Sequence, residues 1–326
     1  MGTTTTDDYF TLIPANNFIW NQKEFTQFLI DHQNKPISIS TNSEGVCLTS
    51  AGVYELLEQF DYSNVAVVTN NALETHPIFR IKHSDPFRFF TVNQTNYSHL
   101  HRWEQQKIFG CFYNRPLWHR LGLAATLQHD YSQQTSLNIR QSIQNEDQRS
   151  LFEIDQLFKN HPESFIKFSK VCNSWPVMLE DHDGYTVGYT VGNTTTGHTD
   201  QLAEFYPDFL IDIVAETWTV GKTFFPTEKT VRPMLLKKPF IIFGSKDYLC
   251  YLRQMGFRTF ADFWDEDYDA YDGRDRYVKI LQLIDTISKK SDSELDDMYW
   301  SMQYTLDHNY NLLLNQNYTT NIDYVD

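Results

Sequence analysis

Seven residues, Phe209-Leu-Ile-Asp-Ile-Val-Ala, form a nearly unbroken apolar run that stops at Glu216. A strand with one wet face alternates apolar and polar residues, so a run without alternation reads as a strand covered on both faces. Such strands belong to parallel sheets, whose neighbours are joined by crossover connections, usually helices. The run therefore predicts an α/β fold and puts a carboxylate at the end of a core strand.

The rest of the chain repeats this grammar. Pro36-Ile-Ser-Ile-Ser-Thr alternates like a strand, Asn42-Ser-Glu-Gly breaks it, and Val53, Leu56, Leu57 and Phe60 follow at helical spacing. The β-branched run Asn64-Val-Ala-Val-Val-Thr closes one parallel βαβ unit, and the loop Thr41 to Gly45 falls at the carboxyl end of its strand, where open α/β sheets bind ligands. A short helix is expected over Asn21 to His32, a strand over Lys107 to Tyr113, a turn at Asn114-Arg-Pro and a helix from Leu117 to Leu127. The polar stretch from Asn138 to Phe168 reads as exposed helices leading out of a first domain, and Gly184 to Asp200 as a mobile loop. Beyond Glu216 the pattern predicts a helix over Thr227 to Leu236, a strand over Pro239 to Gly244, a helix over Lys246 to Met255 and a strand-like Phe257-Arg-Thr-Phe. Ser291 and Glu294 form a capping box that opens a long amphipathic helix through Leu314. With 326 residues, the chain is long for one core. The expected architecture is two Rossmann-like α/β domains facing a cleft, residues 1–170 and 171–326, with terminal helices.

Lys and Arg number 27 against 42 Asp and Glu, a net charge of −15 that repels polyanions and argues against nucleic acid as partner. No window approaches the roughly 20 apolar residues of a membrane span. The start, Met1-Gly-Thr-Thr-Thr-Thr-Asp-Asp, has no signal-peptide character, so a cytoplasmic location is expected. Cys47, Cys111, Cys172 and Cys250 are too scattered for a zinc site and read as small buried side chains. The acidic stretch from Asp262 to Asp275 reads as a solvated loop, and no metal site is assigned.

The chemistry concentrates between Glu216 and Gly244. Thr227, Glu228 and Lys229 open a predicted helix, where free backbone N–H groups and the helix dipole favour a phosphate. Lys229 adds a mobile charge, and Glu228 is suited to accept hydrogen bonds from a ribose diol. The alternative is an ordinary helix start: Thr227 a cap, Glu228 a first-turn carboxylate, Lys229 solvated. The run of Glu216, then Thr227-Glu-Lys, then Pro239-Phe-Ile-Ile-Phe-Gly resembles the donor-binding signature of fucosyltransferase-like enzymes of the GT-B type. There a strand ending in Glu-Asn-Ser precedes a Thr-Glu-Lys helix. Here Glu216 is followed by Thr-Trp, and Lys238-Pro stands where the family has small residues.

The resemblance implies a glycosyltransferase that moves a sugar, fucose being one option, from a nucleoside diphosphate to a hydroxyl acceptor with inversion. Glu228 would hold the ribose, Lys229 the diphosphate, Glu216 would organise the floor of the donor site, and Thr227 would belong to the same donor-binding set. Asn114-Arg-Pro-Leu-Trp-His-Arg resembles the family's arginine-bearing segment, so Arg115 or Arg120 would reach the diphosphate across the cleft. Glu44, in the Ser43-Glu-Gly turn, is the candidate base and His119 the second choice. No cofactor or divalent metal is expected beyond the sugar donor, and the acceptor would be a glycan, a lipid-linked sugar or a protein. The rival reading is a non-catalytic carbohydrate- or protein-binding protein on the same frame, its many aromatic residues serving a contact surface.

Overall fold

The computed structural model describes residues 8–11, 14–15, 19–33, 35–41, 45–85, 87, 97–139, 148–177, 202–320 and 322. Contacts divide the chain into two compact units, one of Met1–Arg88 with Val220–Phe225 and Thr320–Asp326, the other of Phe89–Thr219 with Pro226–Thr319. Each has its own four-stranded parallel sheet, as the α/β expectation requires.

In the first unit, strands β1 (Asp8–Thr11), β4 (Ile37–Ser40), β5 (Val65–Thr69) and β6 (Arg80–His83) pair in that order, and β2 (Pro14–Ala15) and β3 (Ile19–Trp20) make a separate antiparallel ribbon. Helix α1 (Gln22–Asp31) buries Phe25 and Leu29, and α2 (Val53–Gln59) buries Val53, Tyr54 and Leu57. The predicted βαβ unit is β4, α2 and β5, registered with Ile37 beside Val65 and Ile39 beside Val67. The sequence reading missed β1 and β6. They are the two edges of the sheet, and β6 is mostly exposed, so nothing selected an apolar run there.

In the second unit the order is β10 (Phe240–Phe243), β9 (Phe209–Ala215), β7 (Lys107–Tyr113), β8 (Thr135–Ile139), all parallel. Every residue of β9 and β10 is buried, as their unbroken apolar runs require. Gly110 of β7 lies against Phe209; a Cβ there would sit 2.5 Å from that ring, so only glycine lets β7 and β9 pair at this level. Helix α3 (Trp118–Asp130) joins β7 to β8 and packs on α4 (Gln148–Asn160) and α5 (Pro162–Val171). After β9 come α6 (Glu228–Leu235), β10, α7 (Tyr248–Gln254), α8 (Gly273–Ser288), α9 (Asp292–Ser301) and α10 (Gln303–Leu314), the last of which packs on α6.

Three expectations are corrected. The boundary does not fall between residues 170 and 171, because β7 pairs directly with β9; the polar segment taken as an exit holds α4 and α5, packed on α3. Phe257-Arg-Thr-Phe is not a strand: Phe257 and Phe260 are buried in an irregular segment. The capping box at Ser291 and Glu294 is present, but the long helix breaks at Met302 into α9 and α10. The proposed loop Gly184 to Asp200 lies outside the described residues. Among the described residues no helix is long and apolar enough to cross a membrane.

Candidate functional site

The second sheet reverses direction at β7. Its chain leaves through α3 to β8 on one side, while β9 lies on the other. The loops after β7 and β9 therefore diverge at the carboxyl edge, the crevice where sheets of this kind bind ligands. Arg115 and Arg120 follow β7, Glu216 follows β9, and Thr227, which precedes Glu228 and Lys229 at the start of α6, is joined to Glu216 by hydrogen bonds. All six belong to one unit and one sheet edge, which corrects the expectation that the arginines approach from another domain.

Glu216 is 1% exposed, and its carboxylate is fully engaged by the protein. Oε1 accepts from Thr227 N at 3.1 Å, Thr230 Oγ1 at 2.6 Å and Tyr248 Oη at 3.2 Å, and Oε2 accepts from Thr227 Oγ1 at 2.6 Å. It ties the first turn of α6 to the end of β9. Its place in the site is to position that helix, as a floor, without facing ligand.

Two neighbouring residues of α3 clamp the same strand end. Arg120 donates from Nε and Nη2 to Ala215 O at 3.1 and 2.8 Å, and from Nη2 to Thr217 Oγ1 at 3.2 Å. Burial pulls the Arg120 pKa down and Arg115 adds to the fall, while Glu216 and Glu228 oppose it, so these charges act on one another. His119 Nε2 lies 3.0 Å from Glu216 O, and since a carbonyl only accepts, Nε2 carries the proton. Its ring stacks on Phe243 with centroids 4.6 Å apart. Burial, then the charge of Arg120, hold its pKa at about 3, and Nδ1 is buried without a partner. The proposed role of His119 as a base is therefore corrected: it is 2% exposed and packed into the core.

At the start of α6, Thr227 Oγ1 accepts from Lys229 N at 3.3 Å as the cap. Lys229 Nζ donates to Thr227 Oγ1 at 3.0 Å and to Glu228 Oε1 at 2.7 Å. The side chains of Lys229 and Glu228 are 16% and 33% exposed. Burial pushes the Glu228 pKa up, but the charge and hydrogen bond of Lys229, the backbone N–H at the helix start and Arg232 outweigh it and hold it at about 2. Arg115 and Arg120 line a small pocket with Tyr113, Leu121, Ile139 and Trp175, at the carboxyl ends of β7 and β8. Lys238, by contrast, belongs to the amino end of the sheet, where Nζ donates to Phe209 O at 2.7 Å and Arg102 O at 2.8 Å. Glu44 lies outside the described residues.

Two ionic supports escaped the sequence reading. Arg232 of α6 reaches Asp212 in the middle of β9, Nη2 to Oδ2 at 3.8 Å, and Tyr206 Oη donates to Asp212 Oδ2 while accepting from Arg232 Nε. At the end of β10, Arg276 donates to the carbonyls of Gly244 and Ser245 and pairs with Asp269, which accepts from Leu249 N and Cys250 N at 2.9 and 3.0 Å. Asp269 belongs to the acidic stretch read as solvated, and so does Glu266, which accepts from Phe260 N at 2.7 Å and pairs with Arg253 at 3.2 Å. Both turn inward to fix loops; among the described residues no acidic, His or Cys cluster suits a metal ion.

Burial raises the Asp212 pKa, Arg232 and Tyr206 pull it back, and it settles at about 6. The unfolded value is near 3.9, so the folded chain holds the proton more tightly. The stability this contributes is complete below about pH 4 and is lost as pH rises through about 6. Urea unfolding should show the wild type losing on the order of 3 kcal/mol more than Asp212→Asn between pH 4 and 7. Parallel pH curves for the two would show that Asp212 does not titrate there. No family model matches this chain, and comparison with curated proteins and with solved structures finds no match either.

Proposed function

We propose that the second unit binds a nucleoside-diphosphate sugar at the carboxyl edge of its sheet and that the chain is a glycosyltransferase. What supports this is that Arg115 and Arg120 follow β7 while Glu216, Thr227, Glu228 and Lys229 follow β9 on the same sheet, with Glu216, Glu228 and Arg115 all acting on the charge of Arg120. Glu228 accepts hydrogen bonds from the ribose diol. Lys229, now paired with Glu228, turns its ammonium to the diphosphate, whose charge the start of α6 also favours. Arg115 or Arg120 meets the diphosphate, and Arg120 also holds the floor through Ala215 and Thr217. These cations stabilise the leaving diphosphate without a required divalent metal. Transfer occurs with inversion, to a hydroxyl acceptor. Fucose remains one option among the sugars, and Glu44 remains the base expected from the sequence.

A thermal-shift panel of UDP, GDP, CMP and dTDP sugars tests the donor class, since ligand at 100 times its Kd stabilises by about 2.7 kcal/mol. Lys229→Ala should weaken the binding nucleotide about tenfold or more, with no more than a modest fall in the melting temperature of the free protein from the lost pair with Glu228. Failure of every nucleotide sugar to bind, or wild-type affinity in Lys229→Ala, overturns the reading. Slow hydrolysis of the bound donor by the pure protein distinguishes a transferase from a binding protein.

A further inference from the structure

The two most exposed large apolar side chains among the described residues are Trp300 at 64% and Tyr304 at 69%, four positions apart on one helical face of the second unit. Met302, between them, keeps right-handed helical backbone angles, and Leu306 N donates to Met302 O at 3.0 Å, so the helical path runs on from α9 into α10. Four residues advance about 6 Å along a helix axis, which makes the two rings neighbours on that face. Asp297, one turn before Trp300, is exposed on it as well.

One of the rings is braced. The Arg258 guanidinium lies 4.1 Å from the centre of the Tyr304 ring, and its Nη2 donates to Tyr304 Oη at 3.1 Å. The arginine's own backbone is fixed by Asn309 of α10, 2% exposed, which accepts at Oδ1 from Arg258 N at 2.7 Å and donates from Nδ2 to Arg258 O at 2.8 Å. A buried amide thus holds the arginine that holds the ring, and Tyr304 is ordered before a ligand arrives.

Size and charge exclude three classes of partner. Two whole aromatic side chains supply roughly 300–500 Å², short of the roughly 800 Å² that each partner buries in a stable protein interface. Asp296 and Asp297 repel an anion, and Arg258, already seated on Tyr304, repels a cation that would lie on the rings. A pyranose sugar meets none of these objections. It is neutral, its C–H faces are apolar enough to stack on an aromatic ring, and its hydroxyl groups donate to a carboxylate.

We propose that Trp300 and Tyr304 form a binding platform for a neutral oligosaccharide, adjacent sugar rings stacking on the two side chains while Asp297 accepts from their hydroxyl groups. The inference does not rest on the donor reading: Asp307 of the same helix pairs with Lys237 at 2.6 Å, past the end of α6 opposite to Glu228 and Lys229. Titration with maltohexaose, cellohexaose and tetra-N-acetylchitotetraose tests it through the indole N–H signal of Trp300 in the NMR spectrum of labelled protein, assigned by its loss in Trp300→Phe. At about 10 mM, one of the three should have moved that signal with a Kd on the order of 1 mM. By calorimetry, Trp300→Ala should raise this Kd about tenfold or more and Tyr304→Ala about threefold, with urea midpoints nearly unchanged because both side chains stand mostly in solvent. Any affinity for nucleotide sugars should stay at the wild-type level in Trp300→Ala. No movement with any of the three sugars overturns the proposal, as does undiminished affinity in Trp300→Ala. Movement with choline chloride instead would make the face a cation site, and wild-type self-association that Trp300→Ala abolishes in sedimentation would give it to a second copy; either result also overturns the proposal.

Discussion

Arg232→Met is expected to unfold at a much lower urea concentration than the wild type, with a loss of about 3–5 kcal/mol. The guanidinium is buried, and its removal strands Asp212 in the middle of a strand with every neighbour buried. Part of the loss is avoided because the Asp212 pKa is already about 6, so the carboxyl takes up a proton in place of its partner. The decisive comparison is the double variant Asp212→Leu with Arg232→Met. Replacing a buried ion pair by apolar residues of similar volume is often neutral or stabilising, so the double variant should recover most of the loss. A double variant no more stable than Arg232→Met alone would show that Arg232 acts through Phe112 and Tyr206, whose rings its guanidinium also approaches at 5.3 and 5.7 Å.

Glu216→Ala should be of similar severity, by a different route. It deprives one backbone N–H and three hydroxyl groups of a shared acceptor inside the core. Each buried donor left unmade costs about 1–3 kcal/mol, the hydroxyls less because they rotate toward one another, so a loss of about 3 kcal/mol is expected by urea unfolding. Thr230 and Tyr248, already 3.0 Å apart, can re-pair; the N–H of Thr227 has no such recourse. Glu216→Gln keeps one acceptor oxygen and should recover part of the stability. If the proposed donor site is right, a nucleotide should bind more weakly to Glu216→Ala, and less so to Glu216→Gln, since the tie from the start of α6 to β9 is lost in the first and only weakened in the second. A loss below about 1 kcal/mol in Glu216→Ala would mean that the carboxylate is not the tie the geometry indicates.

The elements of the second unit were legible where burial is two-sided. Phe209 to Ala215 and Phe240 to Phe243 could be nothing but core strands, and the cap at Thr227 is written in the local sequence. Strand order is not local. That Lys107 to Tyr113 pairs with Phe209 to Ala215 depends on contacts a hundred residues apart, and the polar helices between them gave a false signal of separation. Arg115 and Arg120 were thus found but placed in the wrong unit. Asp212 looked like a lone polar interruption because its partner, Arg232, is a helix residue with nothing in its own surroundings to mark it. His119 carried the reputation of its residue type, and only its bond to Glu216 O shows a core histidine. That Val220–Phe225 belongs to the first unit was invisible for a simpler reason: a turn-rich loop gives no sign of which surface it will cross.

The discontinuity of the first unit also sets a timetable for its birth. Its β4, α2 and β5 are complete once residue 69 has left the ribosome, and Asn71 can bond Leu73 and Glu74 soon after, but its bonds to the backbone of Lys222 and Phe224 cannot form until those residues are made. At about 5–20 residues per second that interval is on the order of ten seconds. During it the buried seats of Phe224 and Phe225 stand open in the nascent chain. The unit that is translated first is therefore among the last to close, and its vulnerable period on the ribosome spans the synthesis of β7, α3, β8 and β9.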